Sequence, residues 1–400
     1  MLLCPPGPND RCLLPFLANA AAMKALIITS RFPWPSYTGD RVRAASWLSA
    51  LTPAGEVVVV SPPGVRPDDA PPFLFVAARW SLRRLILGMM TVLFDRLPVQ
   101  CLMAAPYDWQ PAIARARREM GPFDVTVVLL SRMHPWVRRS LEGPTLLDAV
   151  DSLRRNAEER RKAAGPATRW LWRMEERRMA RLEQDAARTY GRVLVVSEDE
   201  TAEFEGAQAV TIGISAKPLG DAPRLYDLGF WGRFPYFANA DAATWLLDEI
   251  WPAIRALRPE ATLIMGGAEA PPSLRKKASR SGVTLLSPVD DMSRFARKIR
   301  VALVPLRFGS GQSTKVVEAA EAGCAIVGTP QAFRGLAPLA CHARVESTAS
   351  GLARAAVDLL ADDALRAAAA ARLREIVVSQ YARSVTLERL TAIAGATEAR

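Results

Sequence analysis

Short, uninterrupted apolar runs set between helix-forming stretches constrain this chain more than any other feature. Ala25 to Thr29, Val57 to Val60, Val125 to Leu130, Thr145 to Leu147 and Val193 to Val196 punctuate the first half. Leu225 to Trp231, Thr262 to Met265, Thr284 to Leu286, Val301 to Val304 and Ala325 to Val327 punctuate the second. A strand that is apolar on both faces must be covered on both faces, the condition of a parallel sheet packed between helices. The rhythm relaxes over Thr211 to Pro223, around Ile212-Gly213-Ile214-Ser215-Ala216-Lys217-Pro218. The expectation is an α/β chain of two doubly wound parallel-sheet domains facing across a cleft. The first runs over 23–212 and the second over 213–400, with the last helix packing back on the first. Residues 1–22 carry the turn-rich Cys4-Pro5-Pro6-Gly7-Pro8 and read as a tail, with Met23-Lys24 the more natural start.

Charge narrows the partners. A net charge of +11, carried mostly by Arg, suits anionic ligands or surfaces. Residues 79–118 hold seven Arg against two Asp, and residues 151–192 hold twelve basic against seven acidic residues. An anionic membrane surface is one expected partner for these segments, with Trp170 and Trp172 set among the arginines of the second. Leu85 to Phe94 is the longest apolar run and is expected to be a buried helix; it is too short to span a bilayer. The second segment sets Trp172, Met179, Leu182 and Ala186 on one helical stripe. No reading helix or aromatic-basic strand face points to nucleic acid, so none is expected as partner. The five cysteines (Cys4, Cys12, Cys101, Cys324, Cys341) form no CxxC pair, which fits a reducing cytoplasm.

In doubly wound sheets, ligands sit beyond the carboxyl ends of the strands. The loop after Val301 to Val304 is the most informative of these. It reads Pro305-Leu306-Arg307-Phe308-Gly309-Ser310-Gly311-Gln312-Ser313-Thr314-Lys315 and leads into a helix that Gly323 stops. Gly309 and Gly311 let backbone approach a ligand, and the amides around Ser313 and Thr314 open the helix without internal partners. Such a tip attracts anions. Lys315 can add charge beside a phosphate, and Glu318, on the same face, can accept from vicinal hydroxyls. The plainer alternative is an exposed Lys315–Glu318 ion pair. The two histidines, His134 and His342, both fall in loops, with His134 just after a strand end.

This segment resembles the C-terminal signature of family 4 glycosyltransferases, retaining enzymes of the GT-B fold with two Rossmann-like domains. The branch it resembles most is associated with bacterial exopolysaccharide synthesis. Further motifs agree in order: Ser30-Arg31-Phe32-Pro33-Trp34-Pro35 to Gly39-Asp40-Arg41, Asp148-Ala149-Val150-Asp151-Ser152, Val195 to Glu200, and Phe230-Trp231-Gly232-Arg233 with Asn239-Ala240-Asp241-Ala242.

The resemblance implies a transferase that moves sugar from a nucleotide-diphosphate sugar to a glycan or lipid-linked acceptor, with retention. No Asp-x-Asp stands at a strand end, so no metal is expected, and no cofactor beyond the sugar nucleotide. Arg233, Lys315 and Glu318 take the catalytic positions. Gly39, Gly232, Gly309, Gly311, Ser313 and Thr314 line the donor site, and His134 and Arg41 stand on the acceptor side. Glu318 matches the second glutamate of the family's paired motif, while Ser310 stands where the first belongs. Ala238, Asn239 and Ala240 occupy the stretch where a phosphate-binding lysine is expected. These departures keep open an epimerase-like or non-catalytic protein of the same fold, and the basic surface keeps open a polyanion binder. A cytoplasmic location, peripheral on the plasma membrane, follows from the transferase reading.

Overall fold

The computed structural model describes residues 23–397, apart from 37, 95, 217, 220–222 and 310. Two all-parallel sheets form the frame. The first contains β1 (Met23–Thr29), β2 (Gly55–Ser61), β3 (Leu74–Ala77), β4 (Val125–Leu129), β5 (Thr145–Val150), β6 (Arg192–Val195) and β7 (Gln208–Ala209). Its spatial order is β3-β2-β1-β4-β5-β6-β7. The second contains β8 (Tyr226–Trp231), β9 (Leu263–Gly266), β10 (Thr284–Leu286), β11 (Ile299–Val304), β12 (Ala325–Gly328) and β13 (Arg344–Val345), in the order β10-β9-β8-β11-β12-β13. Both are doubly wound, as the apolar rhythm requires. The edge strands β3, β7 and β13 are additions to the expected set, since each is short or half-exposed and leaves no apolar run to read.

Side-chain alternation divides the first domain's core. Leu26, Ile28, Val58 and Val60 pack on one face with Ile113 and Ala116 of the helix Trp109–Met120. Ala25, Ile27, Val57 and Val59 pack on the other with Trp47 and Leu48 of the helix Gly39–Leu51. Period-2 alternation thus feeds two helical layers from one run of residues. The second domain has one continuous core of its own. The last helix, Arg383–Gly395, returns to the first domain, where Leu390 and Ala394 join the Trp47 cluster. Thr391 Oγ1 donates to the Ala50 carbonyl at 2.9 Å, and Arg383 Nη2 to Ser49 Oγ at 2.9 Å.

A buried ion pair pins the middle of the first sheet. Arg43 Nε and Trp47 Nε1 both donate to Asp148 Oδ2 at 2.6 Å, and both members of the ion pair are fully covered.

One expectation is corrected. The helix Leu82–Phe94 is not buried: only Gly88 and Val92 are covered, and most of its large apolar side chains stand in solvent. Its run of apolar residues exceeds what one contact face against Ala105 and Trp136 can cover. In the helix Pro166–Thr189, Met179, Leu182 and Ala186 do turn inward, with Trp172 half-buried and Trp170 exposed. The proposed tail, including Cys4 and Cys12, lies outside the described residues, as does Ser310.

Candidate active site

Strand order reverses between β1 and β4 in the first sheet and between β8 and β11 in the second. Crevices open at such points. The loops that follow these four strands carry most of the predicted site residues.

In the second domain the site is built around Gly232, just past β8. A Cβ there would stand 2.9 Å from Lys315 Cε and 2.8 Å from Asn239 Nδ2, so a bare backbone is required where these two side chains converge. Lys315 is half-buried and its ammonium has no hydrogen bond among the described residues. Burial pulls its pKa below the usual lysine range, and Glu318 opposes this. A cation so placed is stabilised by an incoming anion. Asn239 Nδ2 donates to the Arg233 carbonyl at 2.8 Å, and its Oδ1 is buried without a partner.

The helix that begins here is Thr314–Glu321, with Ser313 as its N-cap residue and Ser313 Oγ unpaired. The amides of Thr314 and Lys315 have no partner among the described residues, so the tip is free to accept an anion. Thr314 is exposed beside it, and Gly309 has open space around it. Glu318 does not form a simple exposed pair with Lys315. Its Oε2 accepts from Trp231 Nε1 at 2.7 Å, so the indole at the end of β8 fixes the carboxylate. Its other oxygen has no hydrogen bond among the described residues. Arg233 forms a two-pronged pair with Glu269, at 2.8 and 3.0 Å, in which both side chains are more than half exposed. Such a pair is worth about 0–1 kcal/mol, little enough for a phosphate to take the arginine.

In the first domain, backbone strain marks the strand ends. Leu130 after β4 has φ 74° and Val150 at the end of β5 has φ 63°. Left-handed geometry is costly for such side chains and gathers where the loop beyond must be aimed. Glu183 ties these two loops together: it accepts from Ser131 Oγ at 3.1 Å, Ser152 Oγ at 2.9 Å and the Leu153 amide at 2.7 Å. Burial pushes its carboxyl up to about 7. Arg132 is buried between them, with Nη1 directed to Met103 Sδ at 2.8 Å and Nε unpaired. Arg41 Nη1 donates to the Pro35 carbonyl at 3.3 Å, and Gly39 is exposed at the helix start. His134 is fully covered; its Nε2 meets Asp185 at 3.0 Å and its ring lies against Tyr190. Burial lowers its pKa, with Asp185 opposing. The structure therefore places His134 among the first domain's helices and not on the cleft surface. His342 follows the helix Ala337–Ala340, and its amide donates to the Leu339 carbonyl at 3.1 Å.

The two lobes touch. The Gly311 amide donates to Glu200 Oε1 at 2.9 Å, the Ile212 amide to Gln312 Oε1 at 3.2 Å, and the Gly335 amide to Asp199 Oδ2 at 2.8 Å. Gly311 has φ 70°, and a Cβ there would stand 3.2 Å from Asp151 Cβ. The Arg160 guanidinium lies over the Phe237 ring at 4.7 Å. Glu200 is fully covered, and burial, with Asp151 second, raises its pKa. In the first lobe Ser30 Oγ, Thr38 Oγ1, Arg41 Nε and Arg132 Nε are buried without partners among the described residues, as are Asn239 Oδ1 and Ser313 Oγ in the second. Buried polar groups are normally satisfied, so these unpaired atoms on loops and helix starts of both lobes are available to a polar ligand.

Sequence reasoning missed Trp231, Glu183, Glu200 and Arg132 as members of the site. Position just after a strand end was the available signal for Trp231 and Arg132. None existed for Glu183, which sits inside a long helix.

Residues 226–362 match the family model described as glycosyl transferases group 1. No curated protein sequence matches the chain. Among solved structures, Anabaena HepE in complex with UDP is similar over 93% of this chain and 99% of its own, at 14% identity and TM-score 0.62. Sucrose-phosphate synthase from Thermosynechococcus elongatus is similar over 93% and 98%, at 14% identity and TM-score 0.68. WaaG, a glycosyltransferase involved in lipopolysaccharide biosynthesis, is similar over 93% and 100%, at 17% identity and TM-score 0.62. These likenesses show the fold, two parallel-sheet domains in the GT-B arrangement, and with the family match they support a transferase. Residues 226–362 are thus similar to group 1 glycosyl transferases, within a chain that has the GT-B fold.

Proposed function

We propose that the chain is a family 4 glycosyltransferase that moves a sugar from a nucleotide-diphosphate sugar to a glycan or lipid-linked acceptor in bacterial surface or exopolysaccharide synthesis. The observation that carries this reading is the convergence of Lys315, Asn239 and an unpartnered helix tip over Gly232, at a strand-order reversal facing the other lobe. In this reading the diphosphate lies across the Thr314 and Lys315 amides, with Lys315 and a released Arg233 beside it. Glu318, held by Trp231, accepts from the ribose hydroxyls. As the bond from sugar to phosphate breaks, negative charge grows on the leaving diphosphate, and preorganised donors in a closed seam stabilise it. Closure excludes water and favours transfer over hydrolysis. The acceptor enters from the side of Arg132 and Arg41, and retention follows from the resemblance. No metal or further cofactor takes part. The protein works in the cytoplasm, peripherally on the inner face of the plasma membrane.

HepE is solved with UDP, so uridine nucleotides come first in a melting-temperature panel of UDP, GDP, ADP and their sugars. A ligand bound only by the folded form raises stability. Acceptor-dependent release of nucleotide diphosphate is expected. Binding without any such release would favour the second reading, a non-catalytic protein of this fold. Two observations favour that reading: Glu200 occupies the Gly311 amide and Glu269 occupies Arg233. Absence of nucleotide binding would end both.

A further inference from the structure

The helix Leu82–Phe94 presents an uncovered apolar side. Gly88 and Val92 face the domain, whereas Ile86, Leu87, Met89, Met90, Leu93 and Phe94 are each 46–67% exposed. Single exposed apolar residues are ordinary, but six on one short helix form a patch that marks an interaction surface.

The frame of the patch is cationic. Arg79, Arg83 and Arg96 are exposed and form no ion pair among the described residues, while the nearby Asp108 is already paired with Arg84. The helix Pro166–Thr189 runs alongside. Its Arg178 Nη1 donates to the Val92 and Leu97 carbonyls at 3.3 and 3.0 Å, and its Glu175 accepts from the Val99 and Gln100 amides. On that helix Arg173, Arg177 and Arg181 stand four residues apart, exposed and without an ion pair among the described residues, and Trp170 is exposed near its start.

We propose that this face docks the protein on an anionic lipid bilayer, with the outer side of Leu82–Phe94 in the headgroup boundary and the arginines on lipid phosphates. An apolar helix face with cationic flanks is the form that lies in such an interface, where charge attracts and apolar burial holds. Among the described residues no helix is long and apolar enough to cross a membrane, so docking is from one side. The face also leads to the cleft. The short turn Val99–Met103 follows the helix, and Met103 Sδ receives Arg132 Nη1 from the loop after β4. A lipid-linked acceptor would reach the cleft over this edge; that consequence rests on the transferase reading, whereas docking does not.

The test is co-sedimentation of the full chain with vesicles of phosphatidylcholine alone and of equal parts phosphatidylcholine and phosphatidylglycerol. Wild type is compared with Ile86→Glu/Leu93→Glu and Arg173→Glu/Arg177→Glu, at low and high salt. Binding to the anionic vesicles is expected to exceed binding to the neutral ones by about tenfold or more and to weaken with salt. Each variant is expected to lose about tenfold or more of it at an unchanged melting temperature. Wild type left in the supernatant, or variants that bind as wild type does, would overturn the proposal. So would a wild-type dimer that Ile86→Glu/Leu93→Glu dissociates, since the patch would then be covered by a second copy. Melting shifts with nucleotide diphosphates are read on the same samples. If they persist while docking fails, docking falls alone; if they are absent while docking holds, the donor reading falls.

Discussion

The carboxylate of Glu200, from the first lobe, accepts the amide of Gly311, from the second, at 2.9 Å across 111 residues of sequence. Gly311 belongs to the loop that the sequence marks as the anion site. Burial raises the pKa of this carboxyl to about 8, so a group that becomes an anion only in mildly alkaline solution stands beside the position that a diphosphate would take.

Glu200→Gln keeps the size and an acceptor oxygen and removes the charge that Glu200 gains as pH rises through about 8. A neutral acceptor holds an amide less firmly than a carboxylate does. Nucleotide-diphosphate affinity is expected to rise about tenfold when read by calorimetry above about pH 8, where Glu200 is ionised. Unchanged or weaker binding would show that Glu200 does not compete for the loop.

Trp231→Phe removes the indole donor 2.7 Å from Glu318 and leaves the ring's packing against Phe295 largely intact. Glu318 loses its fixed orientation. Donor affinity is expected to fall about three- to tenfold, the worth of one ordinary hydrogen bond, with little change in melting temperature. A nucleoside diphosphate and its deoxyribose analogue should then bind more alike, because the ribose contact is the one affected.

The pairing of Arg43 with Asp148 is fully covered, and Trp47 shares the same oxygen. Breaking a buried pair by removing one partner costs about 3–5 kcal/mol. Arg43→Met and Asp148→Leu are each expected to lower the urea midpoint strongly. The double variant should recover part of the loss, since no lone charge remains.

Glu183 gives stability a pH dependence of definite sign. Its folded pKa of about 7 lies above the ordinary 4.5, so the folded state keeps a proton that the unfolded state gives up. The stability from this group is complete below about pH 4.5 and is lost as pH rises through about 7. Melting temperature is expected to decline over that window, and Glu183→Gln should flatten the decline. A wild-type curve that rises there would contradict the assignment.

The frame was legible because the strands that make it are apolar on both faces. Val57 to Val60 and Val301 to Val304 could belong only to covered strands, and their carboxyl ends located the loops. β3 escaped because Leu74 and Phe75 are exposed on an edge. The helix Leu82–Phe94 was misjudged because composition records how apolar a helix is, not whether a neighbour covers it. The residue types at the helix tip were readable from local order, so Lys315 and Glu318 could be named. Their partners could not, since Trp231 lies 87 residues before Glu318 and meets it only once β8 and β11 pair. The resemblance placed Arg233 by motif, but its pairing with Glu269 belongs to tertiary structure alone.

The central claim is that the helix tip beside Gly232, with Lys315, holds a nucleoside diphosphate. Calorimetric titration of UDP, GDP and ADP into wild type and Lys315→Ala, with folding checked by circular dichroism, tests it most directly. One nucleotide is expected to bind wild type, and Lys315→Ala to bind it about tenfold or more weaker, the loss of one charge-assisted contact. Wild-type affinity falling as alkaline pH strips the Lys315 proton would agree. Equal affinity in a folded Lys315→Ala, or no binding of any of the three by wild type, would contradict the account.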